Sequence, residues 1–170
     1  MLRRIRRNKC GSLSDVVLIA AMLLFLSFAI LIGFKITDAF NTEVQGMTDM
    51  PASAKTASTT LLGHYPGIMD NSFLFISIGL GIVTLILAAL VRVHPIFIPF
   101  YFIGLGIVIF MSAIFSNIYT EMASNAELVG LANQMTIMTN IMGALPFVVG
   151  IFGTLLMVIM YKLYTIDLQI

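Results

Sequence analysis

The sequence predicts an all-α integral membrane protein with four transmembrane helices and both termini on the inner face. Composition, the spacing of charge-free runs and the placement of basic residues carry that prediction. Of 170 residues, 59% are hydrophobic and only 10% are charged, with a mean hydropathy of +1.04. A water-soluble domain needs about 25% charged residues to cover its surface, so the composition argues against a soluble enzyme, an acidic or disordered tail and a nucleic-acid-coating protein. The single cysteine, Cys10, cannot close an intramolecular disulfide, which leaves helix packing and lipid to hold the fold.

A charge at the centre of a membrane helix costs about 2.5 to 3.5 kcal/mol, so uncharged runs locate the spans. After a basic segment, 1–15, the run from Val16 to Phe34 predicts the first span over 16–36. An outer loop over 37–70 follows. Within it, Pro51 at a first helical position and Gly63 as a C-cap predict a short interfacial helix over about 51–62, with His64-Tyr65-Pro66-Gly67 as a turn. Met47, Met50, Ala54, Ala57 and Leu61 recur at helical spacing there, fitting either a lid on the bundle or a docking surface. The second span is expected over 71–91, a tight inner turn over 92–95, and the third span over 96–118, with Pro95 and Pro99 at its start. A mixed segment, 119–140, predicts an outer loop with a short helix capped by Ser124 or Asn125, and the fourth span follows over 141–161. An inner tail, 162–170, ends the chain. The runs are about twice the length of a barrel strand and do not alternate, so helices rather than a barrel are expected.

Basic residues concentrate at cytoplasmic ends of spans. Arg3, Arg4, Arg6, Arg7 and Lys9 therefore put the N-terminus inside; with Arg92 and Lys162 they make seven of the nine Lys and Arg residues, leaving Lys35 and Lys55 outside. An odd number of spans would send Lys162 to the wrong side. The basic leader before Gly11 loosely resembles a prepilin leader, but Asp15 stands where Glu would follow one position later. Arg7, Asn8 and Lys9 before Cys10 are unlike a lipobox. An uncleaved signal-anchor is the expectation.

Small residues allow membrane helices to approach closely. Ser77 and Gly81 offer such a face in the second span, Ser112 and Ser116 in the third, and Gly143, Gly150 and Gly153, with Pro146, in the fourth, where they would admit another helix or a kink. Candidate chemistry is sparse. His64 and His94 fall on opposite sides of the membrane in this topology, and no catalytic triad, phosphate loop, metal-ligand spacing or pair of intramembrane carboxylates is present. No catalytic, cofactor or metal site is therefore predicted. The sharpest electrostatic feature is the N-terminal cluster Arg3, Arg4, Arg6, Arg7 and Lys9, which suits anionic lipid headgroups, nucleic-acid phosphates or an acidic protein shell, or serves orientation alone.

The stretch from Arg92 to Asn125, which opens RVHPIFIPFYFIG and closes SNIYTEMASN, with the terminal segment 153–162 (GTLLMVIMYK), resembles small multi-span membrane proteins of tailless icosahedral viruses of bacteria and archaea that contain an internal membrane. The resemblance covers about half of the chain and supplies no functional residues. It implies a non-enzymatic structural role in a virion internal membrane, shaping the bilayer and linking it to a capsid or genome, with copies of itself or other membrane and capsid proteins as partners. A host cytoplasmic membrane is the other location it allows. The alternatives are an oligomeric, holin-like pore and an accessory subunit of a membrane-bound enzyme complex.

Overall fold

The computed structural model describes residues 12–89 and 95–167, and every regular element among them is helical. In chain order these are α1 (Ser12–Gly46), α2 (Ala52–Ala89), a single 3-10 turn (Pro95–Phe97), α3 (Ile98–Ala123), α4 (Val129–Ala132), α5 (Thr136–Gly143) and α6 (Leu145–Asp167). Helices α1, α2 and α3 are each long and apolar enough to cross a bilayer, and the bent pair α5–α6 qualifies together as a fourth. The surface of these helices is rich in large apolar side chains, such as Phe75 (80% exposed), Phe110 and Phe147 (77% exposed). Water penalises such a surface, whereas hydrocarbon does not, so the helices are compatible with a multi-pass membrane protein.

The long outer loop expected over 37–70 is almost absent. α1 continues to Gly46, only 47–51 are non-helical, and α2 then runs unbroken to Ala89. Gly63 does not end a helix and His64-Tyr65-Pro66-Gly67 is not a turn, because all five residues lie inside α2. Pro66 has no N–H to give and would cost about 3 kcal/mol in an isolated helix, but its neighbours tie this stretch to α1. The Tyr65 hydroxyl donates to the Ile30 carbonyl at 3.2 Å, and its ring meets that of Phe34 edge-on at 5.3 Å and 82°. Pro66 itself is buried. Two antiparallel helices of 35 and 38 residues result, each more than 50 Å long at about 1.5 Å per residue.

Near the hairpin tip, side chains join the two helices. The Lys55 ammonium donates to the Gln45 carbonyl at 3.0 Å, and the Gln45 amide returns a bond to the Lys55 carbonyl at 2.9 Å. Below them the Ser58 hydroxyl donates to Asn41 Oδ1 at 2.9 Å. A cation on the last carbonyls of α1 also opposes the negative end of that helix.

The helical pair that would make a fourth span is broken rather than straight. α5 and α6 meet at Ala144 with a bend of 66°, where Pro146, second in α6, cannot supply a backbone donor to the preceding turn. The helical pair therefore begins at Thr136, earlier than the expected 141, and the kink that Gly143 and Pro146 suggested is present. α3 runs to Ala123, past the expected 118, and Ser124 is its C-cap rather than the start of another helix. Asn125 Oδ1 accepts the Glu127 N–H in a turn, and Leu128, not Ser124 or Asn125, is the N-cap of α4. The expected inner turn falls largely outside the described residues.

α3 and α6 pack closely where glycine permits it. The Tyr101 hydroxyl donates to the Gly153 carbonyl at 2.9 Å, and a Cβ on Gly153 would collide with the Leu105 side chain. Gly143 differs, since nothing lies within 4 Å of the place its Cβ would take. Gly153→Val should cost about 1 to 3 kcal/mol by overpacking and lower the unfolding midpoint in detergent; Gly143→Ala should leave it nearly unchanged. Thermal unfolding of the two purified variants checks the contrast.

Candidate functional site

The best-defined polar cluster joins α2, α3 and α5, and its origin is an uncapped helix end. The first N–H groups of any α-helix have no partner within the helix. Met135, at the N-cap of α5, carries no side-chain acceptor to satisfy them. Asp70, 67 residues earlier in sequence to the nearer contact, fills that role. The Ile137 N–H donates to Asp70 Oδ2 at 3.0 Å and the Met138 N–H to Oδ1 at 2.6 Å. The carboxylate is only 6% exposed. Two oxygens on two successive amides, at the positive end of a helix dipole, is an arrangement in which charge and hydrogen bonding reinforce each other.

Next to this cap, Thr139 donates its hydroxyl to the Ala132 carbonyl at 3.0 Å, tying α5 back to α4. With its one proton used there, Thr139 Oγ1 accepts from the Tyr119 hydroxyl of α3, also at 3.0 Å. Ser116, one turn earlier on α3, donates to the Gly143 carbonyl at the last turn of α5, again at 3.0 Å. Thus α5 is held at its first turn by α2 and along its length by α3. Its apolar side is anchored as firmly, because Met135, Met138 and Met142 are fully buried beside Phe73, Tyr119 and Leu31. Unbranched thioether side chains adapt readily to an irregular packing surface of this kind. On the rim, the Lys35 ammonium and the Glu127 carboxylate stand 3.6 Å apart, both well exposed, a pair that contributes little to stability but joins α1 to the α3–α4 connection.

Asp70 was expected to mark the outer edge of the second span. It lies instead inside α2 and within the bundle. Neither it nor Tyr119 and Thr139 stood out as site residues, and the available signal was weak: an Asp next to an apolar run, with no local helix start to cap.

The predicted packing residues divide by role. Gly81 lies under the Phe152 ring, whose atoms would be 2.9 Å from a Cβ there; Gly150 faces Ile109, 3.6 Å from the same position; Gly153 faces Leu105. Ser116 bridges helices, but the Ser77 and Ser112 hydroxyls turn back to carbonyls of their own helices, Phe73 and Ile109. Gly143 contributes its carbonyl rather than its missing side chain. Arg3, Arg4, Arg6, Arg7 and Lys9, and with them the predicted headgroup-binding cluster, lie outside the described residues, as do Arg92 and His94. His64 stands in the α2 interior. Among the described residues no group of three or more His, Cys, Asp or Glu side chains is arranged to hold a metal, and every buried side-chain nitrogen or oxygen has a hydrogen-bond partner. The polar cluster thus spends its hydrogen-bonding capacity on internal contacts and joins helices.

Compared with protein-family models, with curated proteins and with solved structures, the chain matches none.

Asp70→Ala should leave two buried N–H groups without an acceptor, each costing about 1 to 3 kcal/mol, and Asp70→Asn should fall between it and the parent because its amide keeps one acceptor oxygen. Amide hydrogen exchange checks this directly: protection at Ile137 and Met138 should fall most in the alanine variant, while amides in the middle of α1 change little.

Proposed function

We propose that this chain is a non-enzymatic structural protein of a membrane, crossing it four times with both ends on the inner face, and that it ties the bilayer to the layers on either side. The observation that carries this reading is the inequality of the helices. The Lys35–Glu127 pair marks the level reached by the α3–α4 connection; beyond it, residues 36–46 carry the α1–α2 hairpin about 16 Å further. That extension is braced by Asn41, Gln45, Lys55 and Ser58. A rigid post on one face and five basic residues in the first nine on the other suit a protein that adheres to material on both sides.

The setting proposed, on the sequence resemblance, is the internal membrane of a virion, with the post meeting a protein shell or the basic segment meeting genome phosphates or anionic headgroups. The pore reading has less support. The bundle centre is filled by Leu31, Phe73, Tyr119 and Leu156, and the outward faces of α3 and α6 carry Ile107, Phe110, Phe147 and Ile151 rather than a polar stripe. Passage of ions or dye through liposomes containing the protein would favour the pore.

Two measurements test the proposal. A membrane-impermeant maleimide should reach Cys10 from the same face as a protease reaches a C-terminal tag; opposite faces would remove the four-span topology. Replacing Arg3, Arg4, Arg6 and Arg7 with Gln should reduce capture of anionic vesicles or duplex DNA by proteoliposomes more than tenfold at low salt, since each basic residue is worth about 1 kcal/mol near an anionic surface. High salt should erase the difference. Equal capture at low salt would count against an adhesive N-terminus.

A further inference from the structure

A small space lies beside the bend between α5 and α6. It lies between the α1–α2 pair and the two arms of the broken helix, with Ala20 and Leu23 on one side, Ser77 and Thr84 on another, and Leu145 and Val148 at and after the break. Its volume is about 60 Å³. The Phe152 ring, seated on Gly81, forms part of the wall.

Size and polarity decide what belongs there. Water in a cavity needs two to four polar partners. The two hydroxyl side chains here have spent their protons, Ser77 on the Phe73 carbonyl at 2.7 Å and Thr84 on the Leu80 carbonyl at 2.7 Å. The wall therefore offers water no side-chain donor and only the spare lone pairs of these two oxygens, in a lining that is otherwise hydrocarbon. A helix from a second copy is far too large. An empty void forfeits the dispersion contacts of every wall atom, and in hydrocarbon that loss is the main force available, because burial from water adds nothing there. A flexible polymethylene chain supplies those contacts without needing a polar partner. The same level of the bundle is ringed by exposed apolar side chains, including Ile82 and Val83 on α2 and Ile151 on α6, so acyl chains are the neighbours from which the occupant would come.

We infer that the cavity at the α5–α6 break is a binding site for the end of a lipid acyl chain, which completes the packing that the bend interrupts. This rests on the membrane-embedded reading of the chain. It goes beyond general solvation by lipid, because the occupant sits among buried residues: Leu145 is 1% exposed, and Leu23 and Val149 are each 5% exposed.

The test uses the full chain, labelled at Ile, Leu and Val methyls, in phosphatidylcholine nanodiscs. Nuclear Overhauser cross-peaks from acyl-chain protons should appear at exposed Ile151 and also at buried Leu145 and Val149, and should vanish on substituting chain-deuterated lipid. Ala20→Leu, which fills the cavity, should abolish the cross-peaks at Leu145 and Val149 and leave those at Ile151 intact; if that variant fails to assemble, Val149→Ile read at Leu145 serves in its place. Acyl cross-peaks at Ile151 alone, or water cross-peaks at Leu145 and Val149, would overturn the inference while leaving the membrane reading in place. The absence of acyl cross-peaks at Ile151 as well would overturn both.

Discussion

The bond pair between Asp70 and the first turn of α5 is the constraint on which the α4–α5 end of the bundle depends. A short helix that begins inside a packed bundle leaves amide donors with no water to satisfy them, and each costs about 1 to 3 kcal/mol. Only a group from elsewhere in the chain can remove that cost when the local N-cap is Met135. By supplying both oxygens, Asp70 makes a start at Thr136 tolerable, and that start in turn allows the break at Ala144. Tyr119, Thr139 and Ser116 then fix the orientation of the arm so produced. The break itself falls at Ala144 beside Pro146; the carboxylate on two amides fixes the arm on the α5 side of it.

Long-range features of this kind set the limit of what could be read beforehand. A charge-free run marks an apolar stretch inside each of α1, α2 and α3, because a charged side chain is costly in hydrocarbon, but it does not mark their ends: α1 runs on through Lys35, Asp38 and Glu43, and α2 contains Lys55 and Asp70. The hairpin was less legible. Gly63 and Pro66 are the residues that most often end helices in water, but here α1 lies alongside, and the Tyr65 contacts with Ile30 and Phe34 hold the α2 backbone through the interruption. Local punctuation lost to packing. Asp70 was misread for a related reason: a charge beside an apolar run resembles a boundary until the helix that needs it is located far away in the chain. Glycine roles separated only in three dimensions, since the spacing of Gly143, Gly150 and Gly153 does not say which one faces a neighbour.

Two polar systems among the described residues work in different surroundings. At the hairpin tip, exposed amides and hydroxyls brace two helices where neighbouring elements give little support. In the bundle, buried hydroxyls join three helices that are otherwise held by apolar contact. Membrane helices gain little from hydrophobic exclusion of one another, so both the glycine contacts of α6 with α3 and α2 and these directed bonds are needed to choose one arrangement among many of similar packing. Such a scheme selects one packing of the helices over its near alternatives.

Synthesis proceeds from the N-terminus, so α2 exists before the ribosome has made α5. The acceptor therefore waits for its donors, and the segment from Thr136 to Gly143, too short to enter lipid stably by itself, finds a ready-made berth on emerging. Were the order of the two elements reversed along the chain, the short arm would have to remain at the aqueous boundary until its cap arrived. Chain order thus places the element that carries the acceptor ahead of the one that carries its donors.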